Sequence, residues 1–215
     1  MSDIGDFMRA ARLIPVLTIE DASAAVPLAR ALVAGGVRLL EVTLRTRAGA
    51  QAARAIAAEV PDAIVGFGTV LTPADLDLAE RLGMRFAFSP GATPSLLDAA
   101  RGRAIGFVPG VQTASELMQA AERGFTVVKF FPAEPAGGIA ALKALAGPFP
   151  QALFCPTGGI SEDRAGAWLA LPNVVAVGGS WLAGAAEIAR GDWAGITARA
   201  ARAVARSRER DAGLD

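Results

Sequence analysis

Short apolar stretches with a strand pattern alternate with helical stretches along almost the whole chain. The strand patterns cover residues 13–18, 37–44, 63–68, 85–89, 104–108, 126–132, 152–155 and 174–177. Each is followed by a helical pattern, so that one strand and one helix recur about every 20–28 residues. Strict alternation implies parallel strands joined by right-handed crossovers. Eight such units in 215 residues favour an α/β fold of the closed (β/α)8 TIM barrel type over an open sheet.

The chain is predicted to form one domain over residues 1–215. No linker rich in proline, glycine or serine divides it, and its length fits one large α/β domain. A short amphipathic helix is predicted at about 3–12, before the first strand. The last helix is predicted at about 192–207, and the charged tail from about 207 to 215 is expected to be frayed.

The composition argues against several functional classes. The formal net charge is zero, which indicates no basic surface for nucleic acid. There is no histidine and only one cysteine, Cys155, so a zinc or iron site would need carboxylates alone. A zinc or iron site is therefore not expected, and the protein is expected to use no other cofactor. No run of about 18 apolar residues predicts a membrane span, and the acidic N-terminus lacks a signal-peptide pattern. Together with the single cysteine, these features predict a cytoplasmic protein.

A lysine lies within the sixth strand pattern, at Lys129 in TVVKFFP. Of the 21 basic residues 19 are arginines, and Lys143 is the only other lysine. A buried ammonium loses its proton more readily than a solvated one, and the neutral amine is a nucleophile toward carbonyl carbons. Arginine cannot fill that role. The alternative is a lysine at a strand end whose ammonium reaches water.

A carboxylate lies within the second strand pattern, at Glu41 in LLEVT. By the two-residue period of a strand it shares a face with Thr43 and, if the strand continues, with Arg45. A desolvated carboxylate that works together with a nucleophilic amine suits proton transfer in covalent catalysis. The alternative is a structural ion pair between Glu41 and an arginine.

Two glycine pairs follow the last two strand patterns, in the segments 157–159 (TGG) and 178–180 (GGS). Glycines let main-chain N–H groups approach an anion closely. Barrels of this type commonly bind phosphate after strands seven and eight. The two segments therefore predict a phosphate site, with ordinary turns as the alternative.

Three further side chains lie near predicted strand ends. Arg45 offers a bidentate site for a carboxylate, or is a solvated surface arginine. Thr69 donates to the same anion, or only caps a helix. Phe131 shares the inward side of its strand with Lys129, where it lines a substrate pocket or fills the core.

Six segments of the chain together resemble one protein family. In chain order they are 35–46 (GGVRLLEVTLRT), 66–71 (GFGTVL), 88–91 (FSPG), 127–134 (VVKFFPAE), 155–160 (CPTGGI) and 177–182 (VGGSWL). They resemble the bacterial 2-keto-3-deoxy-6-phosphogluconate (KDPG) aldolases, a family that commonly acts on 4-hydroxy-2-oxoglutarate as well. The likeness runs from about residue 7 to about residue 204.

The resemblance implies a class I, Schiff-base aldolase of the Entner–Doudoroff pathway that works without metal. Its partners would be the phosphorylated keto-deoxy sugar acid, which is cleaved to pyruvate and glyceraldehyde 3-phosphate, and further copies of itself in a homotrimer. Lys129 is implied to form the Schiff base, and Glu41 to be the general acid/base.

The resemblance also implies roles for the other site residues. Arg45 and Thr69 would hold the substrate carboxylate, Phe131 and Pro90 would line the pocket, and Thr157 would meet the substrate hydroxyl region. The phosphate would be bound by Gly158, Gly159, Gly178, Gly179 and Ser180.

Two alternatives to this activity stay open from the sequence. One is a related aldolase that prefers the galactonate epimer, although such relatives tend to carry an apolar residue where this chain has Thr157. The other is a barrel of a different class, either a phosphosugar isomerase or epimerase, or a phosphate-binding protein without catalysis. An isomerase needs a base and an electrophile but no buried lysine nucleophile.

Overall fold

The computed structural model describes residues 4–209, which form nine short strands and ten α-helices. The strands are β1 Leu13–Leu17, β2 Leu39–Thr43, β3 Ile64–Gly68, β4 Phe86–Phe88, β5 Gly106–Val108, β6 Gly110–Val111, β7 Val127–Phe130, β8 Leu153–Phe154 and β9 Val177–Gly179. The helices are α1 Ile4–Ala11, α2 Ala25–Ala34, α3 Gly49–Glu59, α4 Pro73–Arg81, α5 Pro94–Ala100, α6 Ala114–Glu122, α7 Gly138–Ala146, α8 Glu162–Leu169, α9 Ala185–Arg190 and α10 Trp193–Glu209. Two 3-10 helices, Ala22–Ala24 and Ser180–Leu182, complete the described part.

All strand pairs are parallel, as the alternation predicts. They form a six-stranded sheet in the order β5-β4-β3-β2-β1-β9 and a three-stranded sheet in the order β6-β7-β8. Between β8 and β9 the pairing is reduced to two isolated parallel bridges, Phe154 with Val174 and Thr157 with Gly178. The fold is therefore α/β with parallel sheets.

The strand pairing differs in two places from the predicted single ring of eight strands. Pro109 separates β5 from β6, because proline has no N–H to donate to a sheet ladder. The eighth strand was predicted at 174–177, whereas the structure has it at Val177–Gly179. Apolar composition marks the predicted segment, but the hydrogen bonds to β1 form two to three residues later, at the glycines.

The helix starts follow their local sequence signals. Thr113 and Glu116 form the predicted capping box at the start of α6, and Thr72 and Asp75 form another at α4. Helix α9 was not predicted. The last helix extends to Glu209, beyond the predicted start of fraying, and Ser207 in it is buried. Residues 1–3 and 210–215, which include one end of the predicted first helix and most of the predicted tail, lie outside the described residues.

Apolar residues pack in two clusters. The larger cluster lies between the strands and the surrounding helices. The smaller one includes Met8 of α1 together with Ile14, Phe86, Phe88 and other strand residues, so that α1 packs against it. Phe88 belongs to this second cluster and lies next to Lys129, so that the cluster borders the predicted site. No helix within residues 4–209 combines the length and apolar character needed to cross a membrane.

An ion pair between α9 and α10 is expected to make stability depend on pH. Arg199 donates to both carboxylate oxygens of Glu187, and both side chains are largely buried. The hydrogen bond from Arg199 is the main reason that the pKa of Glu187 is lowered from 4.5. Such a carboxylate stabilises the fold above its unfolded pKa, and the contribution is lost as pH falls through the lower folded value.

Replacing Glu187 with glutamine should therefore lower the free energy of unfolding at pH 7 by about 1–3 kcal/mol. The difference from the wild type should shrink below about pH 4.5. Denaturant unfolding at stepped pH measures it. Glu59→Gln is the matched control, since the Arg30–Glu59 pair is exposed and 4.0 Å apart. A Glu187→Gln effect that is constant from pH 7 to pH 3 would contradict the prediction.

Candidate active site

The buried lysine and the buried carboxylate predicted from sequence contact each other. Lys129 lies on β7 and is 2% exposed, while Glu41 lies on β2 and is 0% exposed. Lys129 Nζ donates to Glu41 Oε1 at 2.7 Å, across 88 residues of sequence. The alternative of an ammonium that reaches water is therefore wrong, and so is the alternative of an arginine as the partner of Glu41.

Aromatic rings and a free carboxylate oxygen surround this pair. The rings of Phe88 and Phe131 lie with their centroids 5.4 and 5.6 Å from Lys129 Nζ. Glu41 Oε2 is also buried and has no hydrogen-bond partner among residues 4–209. One carboxylate oxygen thus contacts the amine, and the other is available to a bound molecule.

A glycine on β3 makes room for the carboxylate. A Cβ atom at Gly68 would lie 2.2 Å from Glu41 Oε1 and 2.6 Å from its Cγ. Real Cβ atoms essentially never come that close to another heavy atom, so any other residue at 68 would displace Glu41. Gly68 therefore fixes where the carboxylate can lie.

The two residues predicted to hold a carboxylate are neighbours. Arg45 Nε donates to Thr69 Oγ1 at 3.1 Å. Thr69 has a φ of 60°, the left-handed region, which is unusual for a β-branched residue. Such backbone geometry concentrates at functional sites, where surrounding structure must enforce it. The exposed Arg45 guanidinium keeps further N–H donors for an anion.

An open cavity of about 360 Å³ brings together most of the other predicted residues. Those that line it are Arg45, Phe131, Thr157, Gly158, Gly159, Gly179 and Ser180, together with Val16, Ile160, Ser161 and Trp181. Phe131 borders both the cavity and the Lys129 amine. The cavity therefore adjoins the buried pair.

The loop after β8 is suited to an anion. Gly158 and Gly159 have φ values of 103° and 78°, which only glycine adopts without strain. Their N–H groups have no hydrogen-bond acceptor within the described part of the chain. A Cβ at Gly158 would lie 3.1 Å from Pro132 Cα, so the loop also packs closely on the segment after β7. Both features fit a main-chain anion site.

Two predicted residues lie elsewhere. Gly178 is buried, and its N–H already donates to the Pro156 carbonyl at 2.9 Å. A Cβ there would lie 2.2 Å from Thr157 Oγ1, so this glycine makes space for the threonine. Pro90 follows β4 and packs against Gly110, outside the set of residues that line the cavity.

The sequence interpretation overlooked three contributors. Phe88 lies beside the amine, Trp181 lines the cavity, and Glu134 accepts a hydrogen bond from Trp168 Nε1 at 2.9 Å. The sequence signal that could have identified Glu134 is its position: it is a charged residue shortly after the strand that carries Lys129, in FFPAE.

The single cysteine, Cys155, is expected to be unreactive in the folded protein. Its burial is the main reason that its pKa is raised from 9.0 to about 12. The thiol therefore stays protonated across the neutral range, and the thiolate is the reactive form. Ellman's reagent should modify no thiol of the native protein at pH 7 to 9, and one per chain after denaturation. Rapid labelling of the native protein that increases over this pH range would contradict the assignment.

Several known proteins that are similar to this chain are aldolases. The family model described as KDPG and KHG aldolase matches residues 4–199. The 2-dehydro-3-deoxy-phosphogluconate aldolase of Pseudoalteromonas atlantica is 53% identical over 193 residues, which cover 90% of this chain and 90% of that protein. The KHG/KDPG aldolase of Escherichia coli K12 is 52% identical over 192 residues, which cover 89% and 90% respectively.

A solved structure extends the likeness to the fold. It is the KDPG aldolase of Legionella pneumophila, with pyruvate captured at low pH as a covalent carbinolamine intermediate. It matches with a TM-score of 0.92 and 44% identity, over 94% of this chain and 98% of that one. The family match spans nearly all of the described residues, and the match covers 90–98% of the length of these relatives. The chain belongs to the KDPG and KHG aldolase family.

Proposed function

We infer that this protein is a class I aldolase, a lyase of the Entner–Doudoroff pathway. It cleaves 2-dehydro-3-deoxy-6-phosphogluconate to pyruvate and D-glyceraldehyde 3-phosphate. It also cleaves 4-hydroxy-2-oxoglutarate to pyruvate and glyoxylate, the second substrate that the family name carries. The observation that carries this inference is the buried Lys129–Glu41 pair beside an open cavity, in a chain of this family.

The first step is capture of the substrate ketone by Lys129. Once Glu41 has taken the ammonium proton, the neutral amine adds to the C2 carbonyl to form a carbinolamine. Glu41 then returns the proton to the carbinolamine hydroxyl, which leaves as water, so that a protonated imine and the Glu41 carboxylate remain. The imine is the electron sink of the reaction, because a C=N bond that carries a positive charge accepts electrons far better than a ketone does. Phe88 and Phe131 would keep bulk water away from this centre.

The second step breaks the bond between C3 and C4. Glu41 takes the proton of the C4 hydroxyl, directly or through water, and the bonding electrons move into the imine. Glyceraldehyde 3-phosphate leaves, and the enamine of pyruvate stays bound to Lys129. Protonation of the enamine at C3 by Glu41, followed by hydrolysis of the imine, releases pyruvate and restores the amine.

The remaining site residues would hold the substrate in place. Arg45 and Thr69, already in contact, would bind the carboxylate next to the imine. Phe131 would line the pocket, whereas Pro90 packs against Gly110 outside the cavity lining. Thr157 would meet the substrate hydroxyls. The phosphate would bind at the cavity end formed by Gly158, Gly159, Gly179 and Ser180, while Gly178 leaves space for Thr157.

We also propose that the two sheets form one closed (β/α)8 barrel and that the chain is a single domain. Main-chain hydrogen bonds occur at both places where the two sheets meet. Beside β5 and β6, Lys129 N–H donates to Pro109 O at 2.8 Å, and between β8 and the segment before β9, Val175 N–H donates to Phe154 O at 3.0 Å. Amide hydrogen exchange tests this. Slow exchange at Val175 and Gly178 is expected of a closed ring, and fast exchange there would mean an open edge.

A cytoplasmic homotrimer is proposed on the resemblance to the family. Size-exclusion chromatography with light scattering should give a particle of three 21.9 kDa chains. A monomer or dimer at micromolar concentration would refute the trimer without affecting the proposed chemistry.

Borohydride trapping tests the proposed chemistry. Reduction in the presence of pyruvate should fix one pyruvate per chain, and peptide mapping should place it on Lys129. An adduct on Lys143, or the absence of any adduct, would refute the Schiff-base mechanism. It would favour the alternatives of an isomerase or a binding protein. EDTA should leave the rate unchanged, because the imine supplies the electron sink.

The choice between sugar epimers rests on the hydroxyl region. Thr157 is buried and lines the cavity, and its hydroxyl, which donates to the Cys155 carbonyl at 3.4 Å, can also accept a hydrogen bond from a substrate hydroxyl. We therefore expect kcat/KM for the gluconate substrate to exceed that for the galactonate epimer. The reverse ratio would favour the galactonate-specific alternative.

A further inference from the structure

Glu134 links three segments around the proposed phosphate site. It follows β7, the strand that carries Lys129, and its main-chain N–H donates to the Gly158 carbonyl at 3.0 Å. The preceding N–H, of Ala133, donates to the Thr157 carbonyl at 2.8 Å. The segment after β7 and the loop after β8 are thus hydrogen-bonded side by side.

The carboxylate of Glu134 reaches past that loop to helix α8. Its Oε1 accepts from Trp168 Nε1 at 2.9 Å and from Arg164 Nε at 3.3 Å. Trp168 is fully buried, so this N–H needs an acceptor. A Cβ at Gly159 would lie 3.0 Å from Glu134 Cβ, which puts the stem of Glu134 in contact with the loop. The side chain therefore supports the loop between the helix and the lysine strand.

The negative charge of Glu134 is compensated within this network. Arg164 Nε forms an ion pair with Glu134 Oε1 at 3.3 Å. An acidic side chain near a phosphate site would otherwise oppose anion binding. The contribution of Glu134 to phosphate binding must then be geometric, because its carboxylate accepts the hydrogen bond of Trp168.

We propose that Glu134 is a positioning residue that sets the selectivity of this enzyme for phosphorylated over unphosphorylated substrates. It holds the N–H groups of Gly158 and Gly159 at the cavity and does not touch the reacting atoms. The inference rests on the proposed function for its substrates. Loss of the support should weaken phosphate binding and leave the chemistry at Lys129 intact.

The test compares Glu134→Ala with the wild type on two substrates. For 2-dehydro-3-deoxy-6-phosphogluconate, kcat/KM should fall about tenfold, mainly through a higher KM, as expected for a lost charge-assisted hydrogen bond. For 4-hydroxy-2-oxoglutarate, which has no phosphate, it should change by less than about twofold. Glu134→Gln keeps an acceptor for Trp168 and should restore the wild-type ratio. Trp168→Phe removes the donor and should lower the ratio as Glu134→Ala does.

Glu116→Ala is the matched control for lost stability. It removes the capping box of α6, away from the cavity, and should leave the ratio between the two substrates unchanged. The inference is overturned if Glu134→Ala affects both substrates equally or neither, or if Glu134→Gln behaves like Glu134→Ala.

Binding of inorganic phosphate gives a readout that does not depend on turnover. Titration calorimetry of the wild type and Glu134→Ala should show a dissociation constant about tenfold higher for the variant. If the wild type cleaves neither substrate, the proposed function fails, and this measurement still decides the role of Glu134. Equal phosphate affinities would then overturn it.

Discussion

Replacing Lys129 with alanine is expected to reduce kcat on the order of 10⁴-fold or more. No other group within the described part of the chain lies where it could form the imine, since Lys143 is exposed on α7. Removal of a covalent nucleophile leaves only the rate that binding and electrostatics supply. Steady-state cleavage, with released pyruvate coupled to its reduction, measures the loss.

The same change should also lower stability. Glu41 would be left fully buried without its partner, and breaking one side of a buried ion pair costs about 3–5 kcal/mol. That is within the 5–15 kcal/mol by which domains are usually stable, so the variant should still fold. The double variant Lys129→Met with Glu41→Gln removes both charges and should regain most of the stability without activity.

Lys143→Ala is the matched control, because this chain has only two lysines. It should keep wild-type activity and still give the borohydride adduct. A folded Lys129→Ala protein that retains a substantial part of the wild-type rate would refute the mechanism.

Glu41→Gln is expected to reduce kcat about 10²- to 10⁴-fold, the usual range for a lost general acid/base. Glutamine has nearly the same shape but cannot accept a proton. Imine formation should survive in part, because the substitution leaves the nucleophile, Lys129, in place. Borohydride should therefore still trap pyruvate on the variant.

Borohydride trapping and proton exchange separate imine formation from proton transfer. Exchange of pyruvate methyl protons with deuterated water reports the proton transfer at C3 and should fall together with cleavage. If exchange is unchanged while cleavage falls, Glu41 is not the group that serves the enamine.

Gly68→Ala tests the position of the carboxylate rather than its identity. The added methyl would lie 2.2 Å from Glu41 Oε1 and must displace it, so proton exchange should fall although Glu41 is present. Gly106→Ala, whose methyl would meet the Ile4 side chain instead, should lower stability without that specific loss. Similar exchange rates in the two variants would contradict this account.

Much of the site could be predicted because its signals are local. A lysine and a glutamate within apolar strands are anomalies of burial, and they identify candidates without any knowledge of their partners. Glycine pairs after strand patterns indicate close main-chain approach, and the structure places three of the four glycines at one cavity.

Other features depended on contacts between distant segments. Gly178 has the same local pattern as Gly179, yet its N–H is bonded to Pro156 and only Gly179 lines the cavity. Glu134 looks like a surface residue until Trp168, 34 residues later, is placed beside it. The last strand begins at Val177 rather than at 174, because its partners on β1 set the register.

The sequence by itself determined the alternation of strands and helices, the position of one lysine and one carboxylate within apolar strands, and the glycines after the last strands. These follow from hydrophobic period and from the cost of desolvating charge, which act within a few residues. Only the tertiary structure decided that Lys129 and Glu41 pair with each other at 2.7 Å, and that Gly68 leaves the space for it. Strand register and side-chain packing over 88 residues of separation set that geometry, and no local pattern encodes it.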